Sequence, residues 1–348
     1  MQKLTDELLF KTTYDYFRIY LPKMRKSSDN TIRSYQKTIS ALFDFVAKKR
    51  KKTLAELTFS MFSSDIIISY LDEIEAAGSS VTTRNQRLQA IKSFFSYAGM
   101  ADPALLVFKH EINKIPKKKD SSKNAVDYLT EPALKAVFDQ PDVNTAKGFR
   151  DLFLMLLMYD SAARVQEIVD IRICDLTIAK TSTLLLHGKG SKDRVVPIMQ
   201  TTLMQYDKYM DTFHPGETTD SKEYLFFSER NGRKNKLDTS TVRKMIQKYG
   251  EMARETCPAV PEKVHPHLFR HSRAMHLYQH GMDLTLVSQW LGHAQLETTL
   301  IYAFADTEQK RKAIEQATPS NSILKTKKSV KRFILTDDDL IRKLYGLS

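Results

Sequence analysis

The stretch "STLLLHGKGSKDRVVPIM", residues 182–199, is the clearest hairpin in the sequence. Two runs rich in aliphatic and β-branched residues, Thr183–His187 and Arg194–Ile198, flank a short turn of glycine, lysine, serine and aspartate. Runs of this length around such a turn are typical of paired antiparallel strands. The stretch predicts one small antiparallel sheet, with Lys189 between two glycines in the turn.

The segments on both sides of this hairpin predict helices. Before it, Thr130 caps a helix that has Pro132 in its first turn, where proline is tolerated. The stretch "GFRDLFLMLLMYDSAARVQEIVDI", residues 148–171, predicts a buried helix, an interruption and a second helix. After the hairpin, the pattern is helical again over residues 240–317, with breaks. Together these features predict a mainly α fold with a small antiparallel β-sheet.

The net charge of the chain is strongly positive. Its 348 residues, enough for two domains, include 54 Lys and Arg against 41 Asp and Glu, which gives +13 at pH 7. An excess of this size on a folded chain favours a polyanionic partner, most often nucleic acid. A basic surface kept for solubility is the alternative.

The first hundred residues carry further helical patterns, in residues 4–24, 27–52, 63–77 and 80–97. In the last of these, Leu88 and Ile91 are apolar while Arg84, Arg87 and Lys92 are basic. A small helical domain with basic faces suits contact with DNA phosphates, so these three basic residues are predicted to bind DNA. An ordinary solvated face is the alternative.

A basic linker separates the helical domain from the rest of the chain. Residues 114–124 hold five lysines against one aspartate, with almost no apolar residues. This composition predicts a helical domain over residues 1–112, a linker over 113–126 and a second domain over 127–317. The three consecutive lysines of the linker are further candidates for phosphate contact: Lys117, Lys118 and Lys119.

Several protein classes are disfavoured by the sequence. The longest apolar run, Leu152–Tyr159, has eight residues, far fewer than the ~18 needed to span a bilayer. The opening "MQKLTDELLF" lacks the layout of a secretory signal. Two distant cysteines suggest neither a disulfide nor a zinc site. These features predict a cytoplasmic protein without a membrane partner.

Two elements of the second domain carry charged groups at informative spacing. In "SAARVQE", Arg164 and Glu167 lie three residues apart on a helix and therefore share a face, so the carboxylate can orient the guanidinium. An ordinary helical ion pair is the alternative. Lys189 of the hairpin turn could reach a ligand, although the turn lacks the frame of a phosphate-binding P-loop.

Two more elements lie near the end of the second domain. "VHPHLFRHSRAMHLYQHG" places His267 three residues before Arg270, and "LGHAQLETTLIYA" places His293 nine residues before Tyr302. Six of the nine histidines fall between residues 265 and 293, which raises the question of a metal site. No acidic residue lies between positions 265 and 281 and no HExxH motif is present, so no metal is predicted.

The set of side chains has a common chemical use. Two guanidiniums can hold the non-bridging oxygens of a phosphodiester and neutralise charge in a pentavalent transition state. A tyrosine can act as the nucleophile, a histidine can accept its proton, and a lysine can protonate the leaving oxygen. No cofactor is needed because the cationic side chains supply the charge.

The ordered elements "ARVQE", "HGKGSKDRVVP", "HLFRHS", "WLGH" and Tyr302 resemble the tyrosine recombinase (integrase) family. Ala162 stands where the family often has glycine, and Leu268-Phe269 replaces the usual x-Leu. The resemblance implies a helical core-binding domain plus a mixed α/β catalytic domain. It implies as catalytic residues Arg164, Lys189, His267, Arg270, His293 and the nucleophile Tyr302, with Glu167 and Trp290 in support. Lys192 is the second candidate for the proton donor.

The same resemblance implies a site-specific recombinase that cuts and rejoins double-stranded DNA through a 3′-phosphotyrosyl intermediate. It further implies sites with inverted repeats, a homo-tetramer in the synapse, and neither metal nor ATP. The sequence runs some thirty residues past the family core, which favours integration or excision of a mobile element. A chromosome-dimer-resolving recombinase, a type IB topoisomerase and a DNA-binding protein without catalysis are the alternatives.

The tail, residues 318–348, combines a polar linker with a short helical pattern. Thr336 and Asp339 form a capping-box pattern ahead of an apolar stripe that includes Leu340 and Leu344. A helix this short is not stable alone and must dock on another surface. Docking on its own catalytic domain is one prediction. Docking on a neighbouring protomer is the other, which the family resemblance favours.

Overall fold

The computed structural model of the chain describes residues 6–119, 127–188, 193–292, 295–305 and 311. The chain divides into two compact units, Met1–Lys123 and Asn124–Ser348. Both are mainly helical where they are described, and the second contains small antiparallel sheets, which confirms the predicted fold class. Predicted site residues Lys189, Lys192 and His293 and the tail 318–348 lie outside the described residues.

The first unit consists of helices that begin at side-chain caps. Ser28, Ser63 and Ser80 each accept a hydrogen bond from the backbone N–H three residues further on. The helices are α1 (Glu7–Asp15), which continues in π-helical turns (Tyr16–Met24), α2 (Asp29–Arg50), α3 (Ser64–Ala76), α4 (Val81–Ala101) and α5 (Leu106–Asn113). Proline removes an N–H donor from a helix, and the wider turns accommodate Pro22.

An aromatic cluster forms the core of the first unit. Phe94 and Phe95 of α4 are fully buried and contact Phe59 and Phe62 from the turn before α3. Ile115, in the segment predicted as linker, is also buried in this core. The start of the basic segment therefore packs on the helical unit rather than standing free of it.

The second unit surrounds the hairpin predicted from the sequence. Its elements are α6 (Glu131–Phe138), α7 (Ala146–Ser161), α8 (Val165–Asp170), β1 (Leu176–Thr177), β2 (Thr183–Leu186), β3 (Arg194–Pro197), α9 (Gln200–Leu203), α10 (Tyr206–Phe213), β4 (Phe227–Arg230), β5 (Arg233–Lys236), α11 (Thr239–Thr256), α12 (Pro266–Gln279), α13 (Leu284–Leu291) and α14 (Leu300–Ala305). Strands β1, β2 and β3 form one antiparallel sheet, with Leu184 opposite Val196. Strands β4 and β5 form a second hairpin.

Helix α12 packs against several other helices of the second unit. It packs on α7, and its Ser272 Oγ accepts a hydrogen bond of 2.8 Å from the Leu129 backbone N–H. Gly250 of α11 lies so close to Val264 that a Cβ at this glycine would come within 2.4 Å of the valine side chain. This close approach fixes the segment that leads into α12, the helix that carries His267 and Arg270.

Candidate active site

Arg164 lies at the N-terminal end of α8, where Glu167 holds it. The Arg164 backbone N–H donates to Glu167 Oε2 at 2.8 Å, and its Nη1 donates to Oε1 at 2.9 Å. The Arg164 side chain is 41% exposed, whereas that of Glu167 is 5% exposed. The buried carboxylate therefore anchors a guanidinium that is open to a ligand.

Arg194, at the start of β3, is a second partner of Glu167 that the sequence motifs did not identify. Its Nη1 and Nη2 donate to the two Glu167 oxygens at 2.9 and 2.8 Å, and its Nε donates to the Trp290 backbone oxygen at 3.1 Å. Gly292 has φ +64° and lies against the Arg194 side chain, where a Cβ would come within 2.9 Å of Cδ. Arg194 thus connects the hairpin, α8 and the end of α13.

The two arginines keep Glu167 ionised. Burial alone would raise the pKa of Glu167, but hydrogen bonds from Arg194 and from the Arg164 backbone lower this pKa to about 2. The carboxylate is therefore charged throughout the neutral range. A planar guanidinium that binds a carboxylate through two parallel N–H groups is fixed in direction as well as in position.

Arg194→Ala is expected to lower the free energy of unfolding by roughly 3 kcal/mol, because it removes the bidentate and more deeply buried partner of Glu167 and leaves this carboxylate only the half-exposed Arg164. Since the pKa of Glu167 is lowered from 4.5 to about 2 in the folded state, this contribution is present above pH 4.5 and is lost as the pH falls toward 2. Urea unfolding at pH 7 and pH 3 measures both effects.

The control is Lys135→Ala, which breaks an exposed ion pair with Asp139. An exposed helical pair contributes at most about 0.5 kcal/mol, so this variant is expected to unfold like the parent. The ion-pair account would be contradicted if Arg194→Ala and the parent had similar free energies of unfolding at pH 7. It would also be contradicted if their difference in this free energy were as large at pH 3 as at pH 7.

Arg270 of α12 is buried and is held by backbone oxygens. Its Nη1 donates to the Ala162 oxygen at 2.7 Å and its Nη2 to the Leu291 oxygen at 2.5 Å. Burial, together with the nearby Arg164 and Arg194, lowers the pKa of Arg270 to about 9, which leaves it protonated at neutral pH. Among the described residues no carboxylate is within ion-pair distance, so its charge is not neutralised by a direct partner.

Both departures from the family pattern have a structural explanation. Ala162 has φ +50° at the end of α7, in the left-handed region that favours glycine, and alanine is accommodated there at a cost of roughly 1 kcal/mol. Its backbone oxygen still binds Arg270. Leu268 and Phe269 are both buried in the main core of the unit, so neither displaces a site residue.

His267 lies in the first turn of α12, in the same electropositive region. Burial lowers its pKa, and His265, Arg270 and Arg164 lower it further. His267 is therefore neutral at neutral pH and can accept or donate a hydrogen bond. His267 precedes Arg270 by three residues on α12, and Arg270 binds the backbone oxygen of Ala162, two residues before Arg164, so these three predicted residues belong to one region of the unit.

Tyr302, on α14, is fully buried in a small apolar cluster of Ala162, Ala274, Met275, Val287 and Leu291. Its hydroxyl lies 2.8 Å from Nδ1 of His271. Burial raises the pKa of Tyr302 to about 12, although Arg270 opposes this effect, so the phenol is protonated at neutral pH. His271 directly follows Arg270 in the sequence, and the motifs gave it no role in the site.

Trp290, predicted to support the site, packs between the main core and the cluster around Tyr302. Its indole Nε1 is buried, and no hydrogen-bond partner for it is found in the described part of the chain. Its backbone oxygen accepts the hydrogen bond from Arg194. Trp290 therefore contributes packing and one backbone anchor.

Three of the basic residues predicted to bind DNA in the first unit are engaged inside that unit. Arg84 is 4% exposed, and its Nε lies 3.3 Å from Glu75 Oε2, which favours a structural role over the predicted phosphate contact. Arg87 Nη1 donates to the Tyr70 hydroxyl at 2.9 Å. Lys118 Nζ lies 2.6 Å from Glu75 Oε2 but remains about half exposed.

The remaining basic candidates lie at the surface of the first unit. Lys92 Nζ donates to the Asn113 backbone oxygen at 2.8 Å, and burial, with a contribution from Lys117, lowers the pKa of Lys92. Lys117 and Lys119 are exposed. The side chains of these lysines are therefore accessible to a phosphate backbone.

No group of three or more His, Cys, Asp or Glu side chains suited to hold a metal ion is found within the described ranges. Of the i,i+4 pair His267 and His271, the second is engaged with Tyr302. Among the helices that the structure describes, none is long and apolar enough to cross a membrane.

Two family models match the chain. Residues 127–309 match the phage integrase family, and residues 15–101 match the N-terminal SAM-like domain of phage integrases. Tyrosine recombinase XerA of Pyrococcus horikoshii is 33% identical over 322 residues, which covers 92% of this chain and 99% of the relative. Putative integrase/recombinase y4rC of Sinorhizobium fredii is 32% identical over 306 residues, which covers 87% of this chain and 90% of the relative.

Solved structures share the fold. The XerH site-specific recombinase bound to its difH substrate aligns with a TM-score of 0.64 at 22% identity, over 90% of this chain and 89% of that one. The Tn1549 transposon integrase in complex with transposon right end DNA aligns with a TM-score of 0.64 at 16% identity, over 89% of this chain and 98% of that one. Family models, relatives and motif order agree: the chain belongs to the phage integrase family, the tyrosine recombinases, and is a DNA recombinase.

Proposed function

We propose that this recombinase cuts and rejoins double-stranded DNA at specific sites through a 3′-phosphotyrosyl bond on Tyr302. The observation that supports this most strongly is the grouping around α12. Tyr302 packs in one cluster with Ala162 and Leu291, whose backbone oxygens hold the buried Arg270, and Ala162 lies two residues before the partly exposed Arg164. That grouping is suited to hold a phosphodiester and attack its phosphorus.

The two arginines differ in how they are positioned, which suits them to different oxygens of the phosphate. Arg164 is partly exposed and is oriented by Glu167, whereas Arg270 is buried and is oriented by two backbone oxygens. Preorganised donors of this kind stabilise negative charge as it develops in the transition state without a cost of reorganisation. His267, three residues before Arg270 on α12, would bind a phosphate oxygen.

Lys189 and His293 complete the proposed site on the basis of the family pattern. Lys189 would protonate the departing 5′ oxygen, since an alkoxide is a poor leaving group. His293 would hydrogen-bond the scissile phosphate. Lys192, three residues further along the same turn, is the second candidate for the proton donor.

The experiment that tests the proposal maps covalent adducts on DNA. The full-length protein is incubated with fragmented genomic DNA of its host, denatured, and the protein-bound fragments are sequenced. We expect a small number of sites with inverted-repeat halves. Adducts spread over unrelated sequences would favour a type IB topoisomerase instead, and the absence of adducts would favour a DNA-binding protein without catalysis.

We further propose that the biological role is integration or excision of a mobile element, with resolution of chromosome dimers as the second candidate. The relatives leave both roles open, since a tyrosine recombinase, XerA, matches at 33% identity and a putative integrase/recombinase, y4rC, at 32%. The mapped sites distinguish the two roles. Sites at the ends of a mobile element support the first, and a single chromosomal site supports the second.

We also propose that four protomers assemble on two paired sites and that the tail, residues 318–348, docks on a neighbouring protomer. Truncation after Ser329 removes the apolar stripe that includes Leu340 and Leu344. Binding to a single site is expected to stay unchanged, while assembly of two sites weakens, as measured by mobility shift. A truncated protein that assembles and recombines like the parent would show that the tail has no such role.

A further inference from the structure

Two histidines of α12 make the same contact with two different tyrosines. His271 Nδ1 lies 2.8 Å from the Tyr302 hydroxyl, and His276 Nδ1 lies 2.8 Å from the Tyr159 hydroxyl. Only the first pair includes the proposed nucleophile. The second pair, five residues further along the helix, therefore provides an internal comparison for a purely structural Tyr–His contact.

The buried phenol of Tyr302 requires an acceptor, which assigns the direction of the hydrogen bond and places the single proton of a neutral His271 ring on Nε2. Burial raises the pKa of Tyr302 to about 12, so the phenol carries its proton at neutral pH. Burial, with the nearby His267 and Arg270, lowers the pKa of His271 to about 4, so the imidazole is neutral. A buried hydroxyl needs an acceptor, and His271 Nδ1 is the one found for Tyr302 among the described residues.

We propose that His271 is the catalytic base that takes the proton of Tyr302 during DNA cleavage. As the phenolic oxygen forms its bond to phosphorus, the proton moves from that oxygen to His271 Nδ1, and the bond from phosphorus to the 5′ oxygen breaks. The 5′ oxygen takes a proton from Lys189 or water. Rejoining reverses each step, and His271 returns the proton to the departing phenolate.

This assignment separates the roles of the neighbouring histidines. The ring centres of His271 and Tyr302 are 5.9 Å apart, and those of His267 and His271 are 6.4 Å apart. No hydrogen bond joins His267 to Tyr302 within the described part of the site. His267 is therefore assigned to bind the phosphate, and His271 is assigned to accept the proton of the nucleophile Tyr302.

The surroundings of His271 make its basicity depend on bound DNA. Burial disfavours the imidazolium, the neighbouring His267, Arg270 and His265 oppose it, and Asp127 favours it. A phosphodiester held beside Arg270 brings a negative charge that offsets the guanidinium. Protonation of His271 therefore becomes easier when the substrate is in place, so the nucleophile keeps its proton until then.

The test compares His271→Asn with His276→Asn in the full-length protein. An asparagine oxygen can accept the hydrogen bond that His271 Nδ1 accepts, but it cannot take a proton at neutral pH. The probe is a nicked duplex that carries a mapped site, and the readout is the single-turnover rate of adduct formation per folded molecule. We expect His271→Asn to slow this rate by about 100-fold or more, the usual effect of losing a general base, and His276→Asn to leave it within about threefold.

The pH profile gives a second readout that a structural role would not change. In His271→Asn the rate is expected to rise about tenfold per pH unit, because the phenol must lose its proton unaided, whereas the parent profile flattens. A parent-like rate and profile in His271→Asn would overturn the assignment, as would an equal loss in His276→Asn. The assignment rests on the proposed function, which has a separate test. The proposed function fails if the parent forms no covalent adduct, or if Tyr302→Phe forms the same adduct as the parent.

Discussion

Replacing Tyr302 with phenylalanine is expected to abolish covalent attachment to DNA while DNA binding is retained. The substitution removes the attacking oxygen, but the ring still fills the apolar cluster around Ala162 and Leu291. The lost hydrogen bond to His271 lowers the free energy of unfolding by about 1 kcal/mol. Adduct is measured on denaturing gels, and binding is measured by mobility shift on the same duplex.

The matched control is Tyr159→Phe, which removes the hydroxyl of the second Tyr–His pair on α12. This variant is expected to form adduct like the parent, because Tyr159 contacts His276 and Arg273 rather than the arginines of the site. Two outcomes would exclude Tyr302 as the nucleophile. One is covalent adduct formed by Tyr302→Phe, and the other is loss of adduct in Tyr159→Phe but not in Tyr302→Phe.

Arg270→Ala is expected to have the second largest effect. Losing one preorganised donor to a developing oxyanion typically costs about 3 kcal/mol, which corresponds to more than a 100-fold drop in the cleavage rate. The variant also leaves the backbone oxygens of Ala162 and Leu291 without their partner, which lowers stability by roughly 1–3 kcal/mol. Single-turnover cleavage and urea unfolding measure the two effects.

Arg164→Ala separates chemistry from stability. Its guanidinium is 41% exposed and Glu167 retains Arg194, so a similar loss of rate is expected with a much smaller loss of stability. Arg270→Lys is not expected to restore activity, because an ammonium cannot bind two backbone oxygens and a phosphate in the geometry of a guanidinium. A rate within tenfold of the parent in either alanine variant would exclude that arginine from phosphate binding.

The elements with strong periodicity could be predicted from the sequence, and the weakly patterned ones could not. The hairpin of β2 and β3 has two runs of consecutive aliphatic residues around a glycine-rich turn and lies where the sequence predicts it. The hairpin of β4 and β5 was missed because its strands, within residues 227–236, are mostly polar. Its signal was the Asn231-Gly232 pair, whose positive φ angles suit a tight hairpin turn.

The candidate site was predictable in its order along the chain but not in its contacts. Arg194 reaches Glu167, 27 residues away, and Trp290, 96 residues away. Local spacing carries no information about such contacts. The same limit applies to Arg84. Its position among basic residues on α4 predicted a surface that faces DNA, but Arg84 is buried and pairs with Glu75 on the preceding helix.

The central claim is that Tyr302 forms the covalent bond to the 3′ phosphate of the DNA, and one measurement tests this claim directly. Adduct formed on a nicked duplex is digested with trypsin, and the DNA-linked peptide is sequenced by mass spectrometry. Cleavage after Arg273 and Lys310 gives a peptide with two tyrosines, Tyr278 and Tyr302. We predict that the 3′ phosphate is found on Tyr302. A phosphate on Tyr278, or on any other peptide, would contradict the account.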